Sequence, residues 1–203
     1  MKKSKDFDFG KRAEAYDSGI EGRSSRRFYN LLLREVELRP GAAVLDVGCG
    51  TGALLKLLSG VCEINGYGID IAEKMIEEAK KKCPQMSFQI ARCDSLPFAD
   101  NTFDIIIACM AYHHYDNKDG FAKETARVLK SGGVLYIADP RFPWMIRKTM
   151  NSILRLIRII GEFYTPQETE ARFTGAGFIG KGVSFDAYAQ LVMLQQKHER
   201  NAI

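Results

Sequence analysis

The chain has 203 residues, 46% hydrophobic and 27% charged, and its 29 basic and 25 acidic side chains leave a net charge of +4. That length suits one domain that buries its core without disulfide or metal staples, and the composition excludes a wholly disordered chain. No apolar run approaches the ~18–20 residues of a membrane span, and the polar N-terminal stretch lacks a secretory leader, so a cytoplasmic protein is expected.

Apolar periodicity alternates between buried strands and amphipathic helices, the pattern of an α/β domain on a parallel sheet. A leading helix is expected over 23–36, before Pro40-Gly41. Residues 43–47 form an apolar strand ending at glycines, and 53–58 read as a helix. A second strand over 64–69 leads to a helix from Ala72, with Met75, Ile76 and Ala79 inward, and 86–91 alternate as a third strand. Phe103–Cys109 is unbroken apolar sequence, as expected of a central strand covered on both faces. A helix over 118–129 stops at Lys130-Ser131-Gly132-Gly133, and 134–138 give a fifth strand. A basic amphipathic segment runs to about Gly161, a helix opens near Pro166, and strands over 178–184 and 188–195 suit an antiparallel pair.

The five cysteines contain no C-x-x-C pair, so buried thiols are expected, with neither a disulfide framework nor a metal site. The segment 141–163 holds Arg141, Arg147, Lys148, Arg155 and Arg158 against one acid, Glu162, and so carries the whole net charge. With no long basic stripe, nucleic-acid binding is not expected.

The sharpest feature is VLDVGCGTGALLKLL from Val44 to Leu58, where a strand runs through Gly48-Cys49-Gly50-Thr51-Gly52 into a helix. Glycines there let a ligand approach the backbone, and helix N–H groups favour an anionic group. Gly48, Gly50 and Ala53 also fit a dinucleotide fingerprint, with Asp70 in the place of a ribose-binding acid. Asp46 argues against a nicotinamide cofactor, because a carboxylate repels a pyrophosphate but attracts an ammonium or sulfonium. Asp94 follows the third strand, so three acids converge on the carboxyl edge of the sheet, where open parallel sheets bind ligands.

These motifs together resemble the class I S-adenosylmethionine-dependent methyltransferases, the small-molecule branch related to the quinone-biosynthesis enzymes. The resemblance runs from about Asp6 to Gln195. VLDVGCGTG, YGIDIAEKMIEEAK, Asp94-Ser95-Leu96-Pro97-Phe98, FDIIIACMAYHHY and ARVLKSGGVLYIADP match five family motifs in order, with Ser131 standing where proline is common. The resemblance implies a Rossmann-like, doubly wound α/β fold: a mostly parallel seven-stranded sheet with an antiparallel last strand and helices on both faces. It implies S-adenosylmethionine as cofactor and S-adenosylhomocysteine as product. It assigns Asp46 and the backbone of Gly48, Cys49, Gly50, Thr51 and Gly52 to the methionine moiety, and Asp70 to the ribose. Asp94, Ser95 and Leu96 fall to the adenine, Ile71 and Met75 to its faces, Cys109 and Met110 to the methionine side, and Tyr16 to a closing aromatic.

Methyl transfer is an in-line displacement that needs alignment and exclusion of water, with a base optional. His114, then His113, in Tyr112-His113-His114-Tyr115 are the candidate bases. The layout expected is a helical cap over 1–40, a cofactor core over 41–140, a lid-like insertion over 141–163 and a last helix with hairpin over 164–203. The insertion puts Ile146, Met150, Ile153, Ile157 and Ile160 on one stripe and Lys148, Asn151, Ser152, Arg155 and Arg158 on the other face. A lid with that stripe over the pocket is expected, with a dimer surface or a membrane-facing helix as alternatives. The acceptor is then a small molecule with apolar surface, with no stable membrane anchoring and a homodimer left open. A non-catalytic S-adenosylmethionine-binding sensor is the other functional class.

Overall fold

A computed structural model describes residues 13, 16–17, 19–156 and 161–197. Chain order gives α1 (Ile20–Glu35), β1 (Ala42–Val47), α2 (Ala53–Ser59), β2 (Ile64–Asp70), α3 (Glu73–Lys82), β3 (Ser87–Ile90) and β4 (Phe103–Cys109). A 3₁₀ turn at Tyr112–His114 follows, then α4 (Lys118–Val128), β5 (Leu129–Pro140), α5 (Trp144–Leu156), α6 (Pro166–Thr174), β6 (Phe178–Asp186) and β7 (Ala189–Gln196). No described helix is long and apolar enough to cross a membrane.

The strands form one sheet in the order β3-β2-β1-β4-β5-β7-β6, parallel except that β7 runs antiparallel to both β5 and β6. The expected architecture is therefore present. The order reverses between β1 and β4, which opens a crevice beyond their carboxyl ends. Phe28 and Leu31 of α1, Leu54 and Leu55 of α2 and Ile76 of α3 pack on one face, while Phe121 of α4 and Phe173 of α6 pack on the other. Alternation along β1 follows: Val44 joins the first layer and Leu45 and Val47 the second, leaving Asp46 on the Val44 side.

Two local readings change. The expected stop at Lys130–Gly133 is part of β5, which pairs Leu129 with Phe103 and shifts register before Ile105 meets Val134. Lys130 spans that irregularity to reach Asp104 at 2.9 Å, and a Cβ at Gly133 would sit 3.0 Å from the Asp104 carbonyl. The glycines therefore mark a bulge in the strand.

The second change concerns α5, whose apolar stripe does not cover the pocket. Asn151 is buried, exchanging hydrogen bonds with the Phe163 N–H and carbonyl at 3.0 and 2.9 Å, and Arg147 reaches Glu168 at 2.7 Å. Ile146 and Ile153, in contrast, are 51% exposed. The chain from Glu162 to Tyr164 presents backbone groups to α5, and burying those needs polar partners, so Asn151 and Arg147 turn inward. Ile157, Arg158 and Ile160 lie outside the described residues.

Candidate active site

Three strand ends and the loops beyond them enclose a cavity of about 220 Å³. From β1 and its turn come Gly48, Cys49, Gly50 and Thr51; from β2 and α3 come Asp70, Ile71 and Met75; from β4 and beyond come Cys109, Met110 and His114. Tyr16 lines it as well. Eleven of the residues singled out from the sequence thus meet in one space. Asp46, Gly52, His113, Asp94, Ser95 and Leu96 stand behind that lining.

The turn after β1 is built to bring backbone to the cavity. A Cβ at Gly48 would lie 2.7 Å from the Ala111 Cβ, so this position must be glycine for the turn to pass the end of β4. At Gly50, φ is +50° and a Cβ would meet no protein atom within 4 Å, which leaves open space where a ligand would lie. Met110 has φ +55° and donates its N–H to the Ala138 carbonyl. A left-handed non-glycine residue costs of order 1–3 kcal/mol, and here the strain falls on the cavity wall.

The electrostatics concentrate negative charge on one side of the cavity. Asp46 is 2% exposed and its Oδ1 has no hydrogen-bond partner among the described residues. Burial pushes its carboxyl well above the usual range, and the Asp70 charge pushes it further. Burial raises Asp70 too, against the pull of N–H donors from Ala72, Gly50 and Ile71. The Ala72 and Gly50 bonds measure 2.9 and 3.0 Å, one to each oxygen, and each oxygen keeps a second lone pair. Among the described residues neither acid has an ion-pair partner. Burial and the Asp46 charge together raise the Cys49 and Cys109 thiols, which stay protonated and unreactive.

Asp94 is already engaged. Arg92 binds it at 2.9 Å, Asn117 at 3.0 Å, and the Arg92 hydrogen bond leads in holding its carboxyl below the usual range. Arg92 and Cys93 stand between Asp94 and the open space, and both line the cavity. At the other rim Thr51 donates to Asp17 at 2.8 Å while Lys82 pairs with Asp17 and reaches Thr51, so α3, the glycine turn and the N-terminal segment are tied together beside Tyr16. Gly22 permits that closure, since a Cβ there would lie 2.5 Å from the Tyr16 and Asp17 carbonyls.

The two histidines part company. His113 is buried, with Nδ1 2.8 Å from Asp139 and its ring stacked on Phe163. His114 lies against it, ring centroids 4.0 Å apart, and faces the cavity. Sequence reading missed Ser25, Tyr29, Ile69, Ala91, Arg92, Cys93, Ala111 and Asp116 in the lining. Of the two tyrosines of the Tyr112-His113-His114-Tyr115 motif, which read as pocket lining, Tyr115 lines the cavity and donates its hydroxyl to the Val47 carbonyl at 2.8 Å, while Tyr112 is buried outside it. Ser25 and Tyr29 come from α1, and no local pattern says which helix face meets a distant cavity.

Residues 45–137 match the family described as "Methyltransferase domain". A 2-methyl-6-phytyl-1,4-hydroquinone methyltransferase from Synechocystis sp. is 37% identical over 105 residues, covering 50% of this chain and 33% of that protein. The ubiquinone/menaquinone biosynthesis C-methyltransferase UbiE of Geotalea daltonii is 31% identical over 170 residues, covering 78% of this chain and 70% of that one. The chain thus spans a third of the first relative's length and about two thirds of the second's. A solved S-adenosylmethionine-dependent methyltransferase from Aquifex aeolicus shares the fold with a TM-score of 0.73 at 24% identity, covering 92% of this chain and 97% of that one.

Proposed function

The chain belongs to the S-adenosylmethionine-dependent methyltransferases, and we propose that it moves the methyl group to a small apolar acceptor of the hydroquinone or phenol type. The observation that carries this reading is the buried Asp46 and the half-buried Asp70 set beside an open Gly50. A cofactor that brings a sulfonium and an ammonium suits such a pair, whereas a phosphate-bearing one does not.

The residues would divide the work as follows. The backbone from Gly48 to Thr51 and the charge of Asp46 would hold the methionine moiety, and the free lone pairs of Asp70 the ribose hydroxyls. Ile71 and Met75 would pack on the adenine, and Asp94 would accept from its amine once the Arg92 contact opens, beside the Ser95 backbone; Leu96, whose N–H is bound to Glu124 and whose carbonyl to Arg127, would serve by packing. When bound, the cofactor supplies an electrophilic methyl with its leaving group built in. The protein's part is to exclude water with Tyr16 and Met110, to align the acceptor, and to take its proton. His114 is the group placed to do so, with His113 held by Asp139 as the rigid surface behind it. The acceptor class follows the two quinone-pathway relatives, and free cysteines suit the reducing cytoplasm. Turnover with methyl-labelled S-adenosylmethionine over a panel of hydroquinones, phenols and amines tests the reading, with label expected in the first two classes.

A further inference from the structure

The outward face of α5 carries uncovered apolar side chains, with the Thr149 and Ser152 hydroxyls between them turned back onto the helix's own carbonyls. Leu156 is 82% exposed, Met145 71%, and Ile146 and Ile153 51% each, while the domain is engaged through Arg147 and Asn151. Along one flank of this strip stand Lys148 and Arg155, the latter paired with Glu162, and at the helix start Trp144, 64% exposed, lies under the Lys148 ammonium at 5.2 Å. The sequence from 141 to 163 holds five cations against one acid, Glu162. Beyond α5 the chain returns directly to the active site: the Glu162 N–H donates to the His113 carbonyl at 2.8 Å. A side chain at Gly161 would come within 4.0 Å of His114 Nδ1.

We propose that α5 is a docking helix for an anionic lipid bilayer, lying in the interface with Met145, Ile153 and Leu156 in the acyl boundary and Lys148 at the headgroups. An exposed apolar face flanked by cations is the arrangement by which amphipathic helices bind such surfaces reversibly. Charge decides between a bilayer and a second copy of the chain. A two-fold contact through this strip would set its basic flank near the same flank of the partner. Thirteen residues span about 20 Å, and a strip that long and one helix wide offers roughly 200 Å², far below the ~800 Å² per partner of a stable dimer. Docking would hold the His114 side of the cavity near the membrane, where an apolar acceptor partitions. That purpose rests on the acceptor class proposed above, but docking itself is measured without acceptor or cofactor, so each can fail alone.

Trp144 is the single tryptophan and reports the event directly. The full chain is mixed with vesicles of phosphatidylcholine and phosphatidylglycerol, or of phosphatidylcholine alone, and read by Trp144 emission and by sedimentation. Anionic vesicles are expected to blue-shift the emission, shield it from acrylamide and carry the protein down, with binding falling as salt rises. Leu156→Glu with Ile153→Glu should abolish this, and Lys148→Glu should weaken it at least tenfold, while circular dichroism and S-adenosylmethionine binding stay at wild-type values. Solvent-exposed emission at low salt with anionic vesicles would overturn the proposal. So would equal binding to both vesicle types, or a vesicle-independent dimer that buries Trp144 and is lost in Leu156→Glu.

Discussion

The Asp70 carboxylate, at the end of β2, accepts the Gly50 N–H at 3.0 Å, so the acid of one strand fixes the glycine turn that follows its neighbour. Its other oxygen accepts the Ala72 N–H at 2.9 Å and so steadies the entry to α3. One side chain shapes the loop and still offers lone pairs to a ligand.

Asp70→Ala removes both functions. S-adenosylmethionine affinity is expected to fall by about 1.5–3 kcal/mol, the worth of hydrogen bonds to a charged acceptor, roughly ten- to 150-fold. Titration calorimetry on the folded variant measures it, and unchanged affinity would remove Asp70 from the ribose role.

Asp46 trades stability for binding. Its folded pKa lies above the unfolded value, so the stabilisation from its neutral form is present below about pH 3.9 and is lost as pH rises through the folded value. Above that range Asp46 is then a net cost to the ligand-free fold. Asp46→Asn should raise the ligand-free Tm at pH 7, at about 2–4 °C per kcal/mol for a chain of this size, with the gain shrinking toward pH 4. The same variant should lose most cofactor affinity. In the wild type, affinity should weaken on acidification as Asp46 and Asp70 take up protons. A lowered Tm at pH 7 would contradict this electrostatic picture.

Gly50→Val adds a side chain where a Cβ now meets open space, at a φ that β-branched residues avoid. Cofactor binding should fall more than in Asp70→Ala. Normal affinity would mean that the methionine moiety lies elsewhere.

The histidines separate by readout. His114→Asn should lower kcat on a phenolic acceptor by ~10²-fold or more with cofactor affinity retained. His113→Ala should act on stability instead, by about 1–3 kcal/mol, because it strands the buried Asp139 carboxylate. Equal loss of kcat in both, with stability untouched, would reverse the assignment.

Much of this was legible in sequence because its signals are local. Strand periodicity, the Gly48–Gly52 turn and acids closing successive strands depend on neighbours a few residues away, and they located the cavity. Orientation of α5 was not legible. Its apolar stripe fitted a lid, but which face turns inward is set by backbone groups at Phe163, and Asn151 and Arg147 answer them. Asp94 was found, yet its pairing with Arg92 and Asn117 depends on where Asn117 caps α4, a tertiary fact. The lining from α1 was missed for the same reason.

The central claim is that the cavity beside Asp46 and Asp70 binds S-adenosylmethionine and delivers its methyl to an apolar hydroxylated ring. The most direct test is a single-turnover experiment with methyl-labelled cofactor and a short-chain hydroquinone, followed by mass spectrometry of both products. An acceptor heavier by one methyl group and one S-adenosylhomocysteine per methyl transferred are expected, both lost in Asp46→Asn. Label retained on a tightly bound cofactor, with no hydroquinone or phenol methylated, would contradict it.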